Sequence, residues 1–334
     1  IKMATYQGAL VCGEVSEGKI TTVTRELLNM GRRLCDNVNQ PLSTLLIGKN
    51  IQGAAQEVVA LGTNKVYTVN GLPFPESHPD VHVAIITEAC KQIAPSIIIF
   101  GHTEMGREVA PRVASRLRTT VTMDCTELSI DPETKRLLQS KPVYGGNAVA
   151  IWVSDSHDPQ IVTLRPRAVM PAEPDGSRKG EMIALDITIS DSMIKGKLLE
   201  TVKEEVKGIK LEDAKIVIAG GGGIGSSDGF TMLEELAKGL GGTVWVTRVP
   251  CDEGWKPLAL EIGQTGHIVT PKLYFAIGIS GAPQHMAGCS GSKCIVAINR
   301  DPDANIFKEA DFGVIGDYRA VLPALIEKCK ALLE

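Results

Sequence analysis

Aromatic residues are scarce, with Phe, Trp and Tyr together only 4% of 334 residues. So few stacking surfaces argue against a role in binding single-stranded nucleic acid. Neither sign of charge dominates, and the formal net charge is -4. No nucleic acid or anionic membrane is therefore expected as a partner. No apolar run approaches the roughly 20 residues that span a bilayer, so membrane insertion is not expected. The eight cysteines (Cys12, Cys35, Cys90, Cys125, Cys251, Cys289, Cys294 and Cys329) contain no Cys-x-x-Cys. A zinc or iron–sulfur site needs a tighter cluster of ligands. The cysteines read as reduced, packed thiols of a cytosol-like compartment. Ile1-Lys2-Met3-Ala4 lacks an apolar leader, and a cytoplasmic protein is expected.

Apolar residues make up 43% and charged residues 22%, ordinary for a globular protein. The length suggests about two domains. In the first half, Leu45–Gly48 reads as a buried strand, Ala54–Leu61 as a short helix and Lys65–Val69 as the next strand. Asp80 can cap a helix running to Ile93, stopped by Pro95. Ser96–Gly101 is the near-continuous apolar run of a parallel strand buried on both faces, and Gly106–Leu117 is helical. Runs at Leu128–Ile130, Gly146–Trp152 and Gln160–Leu164 suggest an antiparallel addition. The lysine-rich stretch Leu198–Gly208 reads as a linker helix, with a hinge at Lys203–Lys210. The expectation is an α/β protein with domains at residues 1–205 and 206–334. Each carries a mostly parallel doubly wound sheet, the second Rossmann-like.

The second series places strands at Ala214–Ala219, Thr243–Thr247, Leu273–Ile279, Cys294–Ile298 and Phe312–Ile315, with helices at Asp228–Lys238 and from Tyr318. Its apolar runs end in small polar clusters: Gly263-Gln264-Thr265-Gly266, then Gly278 to His285, then Asn299. In an open α/β sheet, strand ends of this kind are where ligands bind. The cluster holds no nucleophile paired with a base, which points to a bound cofactor that performs the chemistry. Gly220, Gly222 and Gly225 can be written G-x-G-x-x-G. Arg248 closing the next strand could accept a 2′-phosphate, so an NADP site is one reading; a surface ion pair with Asp252 or Glu253 is the other. Thr265 could hydrogen-bond a ring nitrogen or carbonyl. A protonated or donor imidazole at His285 would stabilise negative charge on a reduced ring. Asp317 either caps the last helix or binds a cofactor hydroxyl.

The segments Gly263–Gly266, Gly278-Ile279-Ser280-Gly281-Ala282-Pro283-Gln284-His285 and Ala297-Ile298-Asn299-Arg300-Asp301-Pro302 resemble the FAD domain of the electron transfer flavoprotein alpha subunit, a family that includes FixB-type proteins. Pro111-Arg112-Val113-Ala114 and Tyr144–Ala148 extend the resemblance into the first domain. It implies a FAD-carrying electron carrier in a heterodimer with a beta subunit. Such a carrier takes electrons from a flavin-dependent dehydrogenase, such as an acyl-CoA dehydrogenase, and in some relatives belongs to an electron-bifurcating complex. It also implies that Thr265 and Arg248 contact the isoalloxazine and that His285 approaches its pyrimidine carbonyl. Ile262, Gly263 and Gln264 would line the same turn, and Thr247 matches a small hydroxyl residue of the family. Ser280, Gly281, Ala282, Pro283 and Gln284 would hold the pyrophosphate and ribityl chain. Asn299, Asp317 and Tyr318 would hold the adenosine end.

One position departs from the family pattern. Gly222 stands where that pattern has an arginine over the flavin, so a lower reduction potential or a less stable anionic semiquinone is expected. The alternatives are an NADP-dependent oxidoreductase built on the Gly220–Gly225 turn and Arg248, and a scaffold subunit that has lost its cofactor.

Overall fold

The computed structural model describes residues 6–70, 78–144, 148–155, 157–189, 194–196, 199 and 214–333. The chain divides into two compact units, Ile1–Val202 and Lys203–Glu334. The expected linker helix and hinge lie outside the described residues, apart from Leu199.

The first unit begins with β1 (Ala9–Gly13), the small hairpin β2 (Val15–Ser16) and β3 (Lys19–Ile20), and α1 (Thr22–Val38). β4 (Leu42–Gly48), α2 (Gln52–Ala60), β5 (Lys65–Asn70), α3 (Pro79–Ile93), β6 (Ile97–Gly101) and α4 (Glu104–Leu117) continue the alternation. Then come β7 (Val121–Cys125), β8 (Glu127–Ile130), β9 (Leu137–Val143), β10 (Ala148–Val153), β11 (Gln160–Leu164) and β12 (Glu181–Ala184). Seven strands form one parallel sheet in the order β12-β5-β4-β1-β6-β11-β7. β4 and β6 are buried at every residue, as strands covered by helices on both faces must be. Leu27 and Leu34 of α1 pack on one face with Ile99, and Val83 and Val109 of α3 and α4 pack on the other with Ile98.

Two readings of this unit change. Gln160–Leu164 is not part of the antiparallel addition; it is β11, hydrogen-bonded in parallel between β6 and β7. Among the described residues, the antiparallel addition is the three-stranded sheet β10-β9-β8. A short run with three apolar residues is the same in either setting, because its neighbours and not its pattern decide the pairing. Helix α3 is not capped by Asp80: His78 is its cap residue and Pro79 its first residue. Asp80 instead pairs with Arg112 of α4 and accepts from the backbone amides of Lys195 and Gly196 at 2.8 and 3.1 Å. These three bonds hold its carboxyl well below the ordinary carboxylate range, the Arg112 contact contributing most.

The second unit carries β13 (Ile216–Gly220), α5 (Phe230–Leu240), β14 (Thr243–Val246), α6 (Arg248–Asp252), β15 (Leu273–Ile277), α7 (Pro283–Cys289), β16 (Ile295–Asn299), α8 (Ile306–Glu309), β17 (Phe312–Ile315) and α9 (Tyr318–Leu333). Its five strands are all parallel, in the order β14-β13-β15-β16-β17. Phe230, Leu233, Leu322 and Ile326 of α5 and α9 cover one face. Met286, Cys289 and Ile306 of α7 and α8 cover the other. The chain leaves β13 for β14 on one side and returns to β15 on the other. The switch point between β13 and β15 opens the crevice where such sheets receive ligands.

Candidate functional site

The five strand tips of the second unit are stitched by main-chain bonds. Gly221 N–H donates to the Ile277 carbonyl at 2.9 Å, and Gly223 N–H to the Gly278 carbonyl at 2.9 Å. A Cβ on Gly221 would lie 2.3 Å from the Gly278 oxygen, and one on Gly223 2.8 Å from it. The glycines let the tips of β13 and β15 touch, with Gly278 itself at φ +61°. Gly222 differs: it is exposed, and a Cβ there would meet only Val249, at 3.1 Å. The turn does not open directly into a helix. Short 3₁₀ turns at 222–224 and 227–229 intervene, and α5 starts at Phe230. A dinucleotide turn of the G-x-G-x-x-G type places a helix N-terminus at the glycines, so the NADP reading loses its structural basis.

At the tip of β14 the turn 261–267 is pinned from two sides. Ile262 N–H donates to the Val246 carbonyl, and Gln264 N–H to the Gln284 carbonyl, both at 2.8 Å. Gln264 and Thr265 stand exposed at its apex, while Ile262 and Gly263 are buried. Thr247 precedes α6, its amide donating to the Gly220 carbonyl at 3.0 Å. Arg248, the first residue of α6, donates from Nε to Asp252 Oδ1 at 2.7 Å. Glu261 lies beneath the turn, only 3% exposed. Its Oε1 accepts from the Thr265 hydroxyl at 2.7 Å, and its Oε2 lies 3.6 Å from Arg248 Nη1.

Beyond β15, Ser280, Ala282, Pro283 and Gln284 are exposed and Gly281 is buried. Gly281 sits at φ +80°, with a Cβ position 2.2 Å from the Ile306 amide nitrogen. That amide donates to the Ser280 carbonyl at 3.0 Å. His285 points into the core, 7% exposed. Its Nδ1 lies 3.0 Å from the Ile262 carbonyl and its Nε2 2.9 Å from the Tyr274 hydroxyl. Burial lowers its pKa to about 4, with the bond to Ile262 pulling the other way. The ring is therefore neutral at pH 7. A carbonyl can only accept, so Nδ1 carries the proton and Nε2 accepts from Tyr274. Of the two forms expected from sequence, burial opposes the protonated imidazole, and the donor form spends its proton on the Ile262 carbonyl inside the protein.

At the far side of the sheet, Asn299 donates from Nδ2 to the Ile279 carbonyl at 2.8 Å, and its Oδ1 accepts from the Asp301 amide at 3.0 Å. Asp317 accepts from the Arg319 amide at 2.9 Å, the capping role that sequence offered as one of two. Tyr318 is buried, its hydroxyl donating to the Ile224 carbonyl at 3.0 Å. With Gly223, Gly278, Arg300 and Arg319, these residues line a cleft at the strand tips. Arg319 brings a cation to the glycine loop as well, its Nη2 reaching the Ile224 carbonyl at 3.4 Å. Arg319 and Glu261 were missed. Arg319 directly follows two residues singled out in sequence, whereas nothing in the pattern around Glu261 distinguishes it.

The electron transfer flavoprotein domain pattern matches residues 9–190, and the electron transfer flavoprotein FAD-binding domain pattern matches residues 210–290. An electron transfer flavoprotein subunit alpha from Thermoanaerobacterium thermosaccharolyticum is 42% identical over 330 residues, covering 99% of this chain and 100% of that protein. One from Megasphaera elsdenii is 39% identical, covering 98% of each chain. The lactate dehydrogenase (NAD(+),ferredoxin) subunit LctC of Acetobacterium woodii is 36% identical, over 98% of this chain and 78% of that protein. The chain belongs to the electron transfer flavoprotein alpha-subunit family. Its cofactor is FAD and its work is electron transfer.

The residues present suit a dinucleotide of this kind. The positions where a Cβ would fall on Gly221, Gly223 and Gly281 are occupied by neighbouring backbone, so the tips pack closely. Around them stand exposed hydroxyl, amide and guanidinium groups: Thr265, Ser280, Gln264, Gln284, Arg248 and Arg319. Five strands at about 4.8 Å spacing span roughly 19 Å, room for an extended dinucleotide.

Proposed function

We propose that FAD lies along the strand tips of residues 206–334, its ring end at Thr265 and Arg248 and its adenosine end at Asn299 and Asp317. One observation carries this reading: the residues singled out from sequence fall, in spatial order, on the tips of all five adjacent strands. Bound FAD supplies one- and two-electron redox chemistry. The protein orients it. Gln264 and Thr265 present polar groups at the ring end, with Thr247 beside them. Ser280 and the exposed backbone of Ala282 to Gln284 serve the pyrophosphate and ribityl chain. His285 and Tyr318 act from below, holding the Ile262 and Ile224 carbonyls and so the shape of both turns. Gly222 would leave the ring without the cation that the family pattern implies there.

Residues 1–205 would meet a beta subunit, and the heterodimer would relay electrons from a flavin-dependent dehydrogenase, such as an acyl-CoA dehydrogenase. Similarity to a subunit of an NAD(+)- and ferredoxin-linked enzyme favours a bifurcating complex as a second reading. Eight free thiols fit a reducing compartment such as the cytoplasm. The test is co-expression with the beta subunit, followed by flavin analysis and mixing with acyl-CoA dehydrogenase and substrate. A yellow heterodimer whose flavin bleaches on mixing is expected. One FAD per heterodimer indicates a simple carrier, and two indicate the bifurcating type. A heterodimer without flavin would refute the assignment.

A further inference from the structure

The two carboxylate oxygens of Glu261 divide between two neighbours. One accepts a hydrogen bond from the Thr265 hydroxyl at 2.7 Å and the other faces Arg248 at 3.6 Å. A hydroxyl has one proton to donate. Because it is donated to Glu261, Thr265 offers only lone pairs to anything bound at the apex of its turn. Arg248 is 55% exposed and shares its charge between Glu261 and Asp252. The arrangement is built in. Gly266 is required for the turn to close, since a Cβ there would sit 2.4 Å from the Glu261 carbonyl oxygen. The Glu261 carbonyl in turn accepts from the His267 amide at 2.8 Å. Glu261 is therefore held beneath the turn by main-chain bonds at its own residue.

We propose that Glu261 is a positioning residue that holds down the reduction potential of the flavin, by turning the Thr265 hydroxyl donor away from the ring and offsetting part of the Arg248 charge. The inference rests on the reading that Thr265 and Arg248 face the ring. Reduction adds negative charge to the ring, and donors or cations aimed at that charge favour it. Glu261 withdraws one of each. His285 adds nothing on the other side, since its ring is neutral and both its nitrogens are engaged.

The test is a potentiometric titration of the holo-heterodimer, with FAD content measured alongside. In Glu261→Gln the carboxylate charge is gone while the shape remains. FAD content should stay at the parent's level, and the reduction equilibrium should shift about tenfold toward the reduced form, or ~59 mV for one electron. Glu261→Asp keeps the charge and should stay near the parent potential. In an Arg248→Gln background the Glu261→Gln shift should fall by at least half, because contacting residues are not additive. An unchanged potential in Glu261→Gln with FAD bound would overturn the proposal. So would a shift in Glu261→Asp equal to that in Glu261→Gln, or a full shift in the Arg248→Gln background. If Thr265→Val and Arg248→Gln, each alone, also leave potential and FAD affinity unchanged, the placement of the ring is at fault, and the proposal falls with it. A change in either one, with Glu261→Gln silent, refutes the role of Glu261 alone.

Discussion

The hydroxyl of Tyr274 donates to Nε2 of His285 at 2.9 Å, and the other ring nitrogen holds the Ile262 carbonyl at 3.0 Å. A buried pair linking β15 to α7 thus anchors the turn that presents Thr265. Tyr274→Phe removes the donor and leaves Nε2 buried without a partner. A loss of about 1–3 kcal/mol in unfolding free energy is expected, read by urea denaturation. A loss below about 0.5 kcal/mol would mean the bond contributes little.

The same histidine predicts a pH dependence. Its folded pKa of about 4 lies below the ordinary 6.5, so the unfolded chain binds the extra proton first as pH falls. Its contribution is complete above pH 6.5 and declines toward pH 4, at no more than about 1.4 kcal/mol per pH unit. Thermal melts of the parent and of His285→Gln across this window should show a shallower decline in the variant. Parallel curves would refute it.

Gly281 occupies φ +80° with a neighbouring amide nitrogen where its Cβ would go. Gly281→Ala must displace either the 280–284 turn or the start of α8. We expect destabilisation of about 1–3 kcal/mol and a severalfold weaker hold on FAD, measured by flavin release during gel filtration. Gly222→Ala, where only a half-exposed Val249 is near, should leave both unchanged.

Gly222→Arg restores a cation above the glycine turn without a backbone clash. A charge about 5 Å from the ring is worth roughly 3 kcal/mol at an effective dielectric of ~20, and less where water screens it. The flavin midpoint should rise by up to about 0.1 V, at ~59 mV per tenfold. Equal potentials in parent and variant would reject the idea that Gly222 lowers it.

The strands and helices of the second unit were largely legible because each apolar run is long enough to stand alone and ends in glycine or a polar cluster. Phe312–Ile315 and the helix from Tyr318 fall as read. β11 in the first unit did not, since its three apolar residues, Ile161, Val162 and Leu164, fit a parallel or an antiparallel neighbour equally well. The tips that carry Thr265, Ser280 and Asn299 could be named from sequence, but the aim of individual side chains could not. His285 turned inward and Asp317 capped α9, both within polar clusters that read alike.

By itself the sequence determined the alternating α/β pattern, the glycines at close approaches and the small polar residues at strand ends, because these follow from local periodicity and backbone sterics. Only the tertiary structure decided strand order, the depth of His285 and the place of Glu261 under Thr265 and Arg248. Those depend on contacts between segments such as Tyr274 with His285 and Arg248 with Glu261. Whether a polar side chain reaches solvent or a buried neighbour is fixed by what packs above it, which no local pattern encodes.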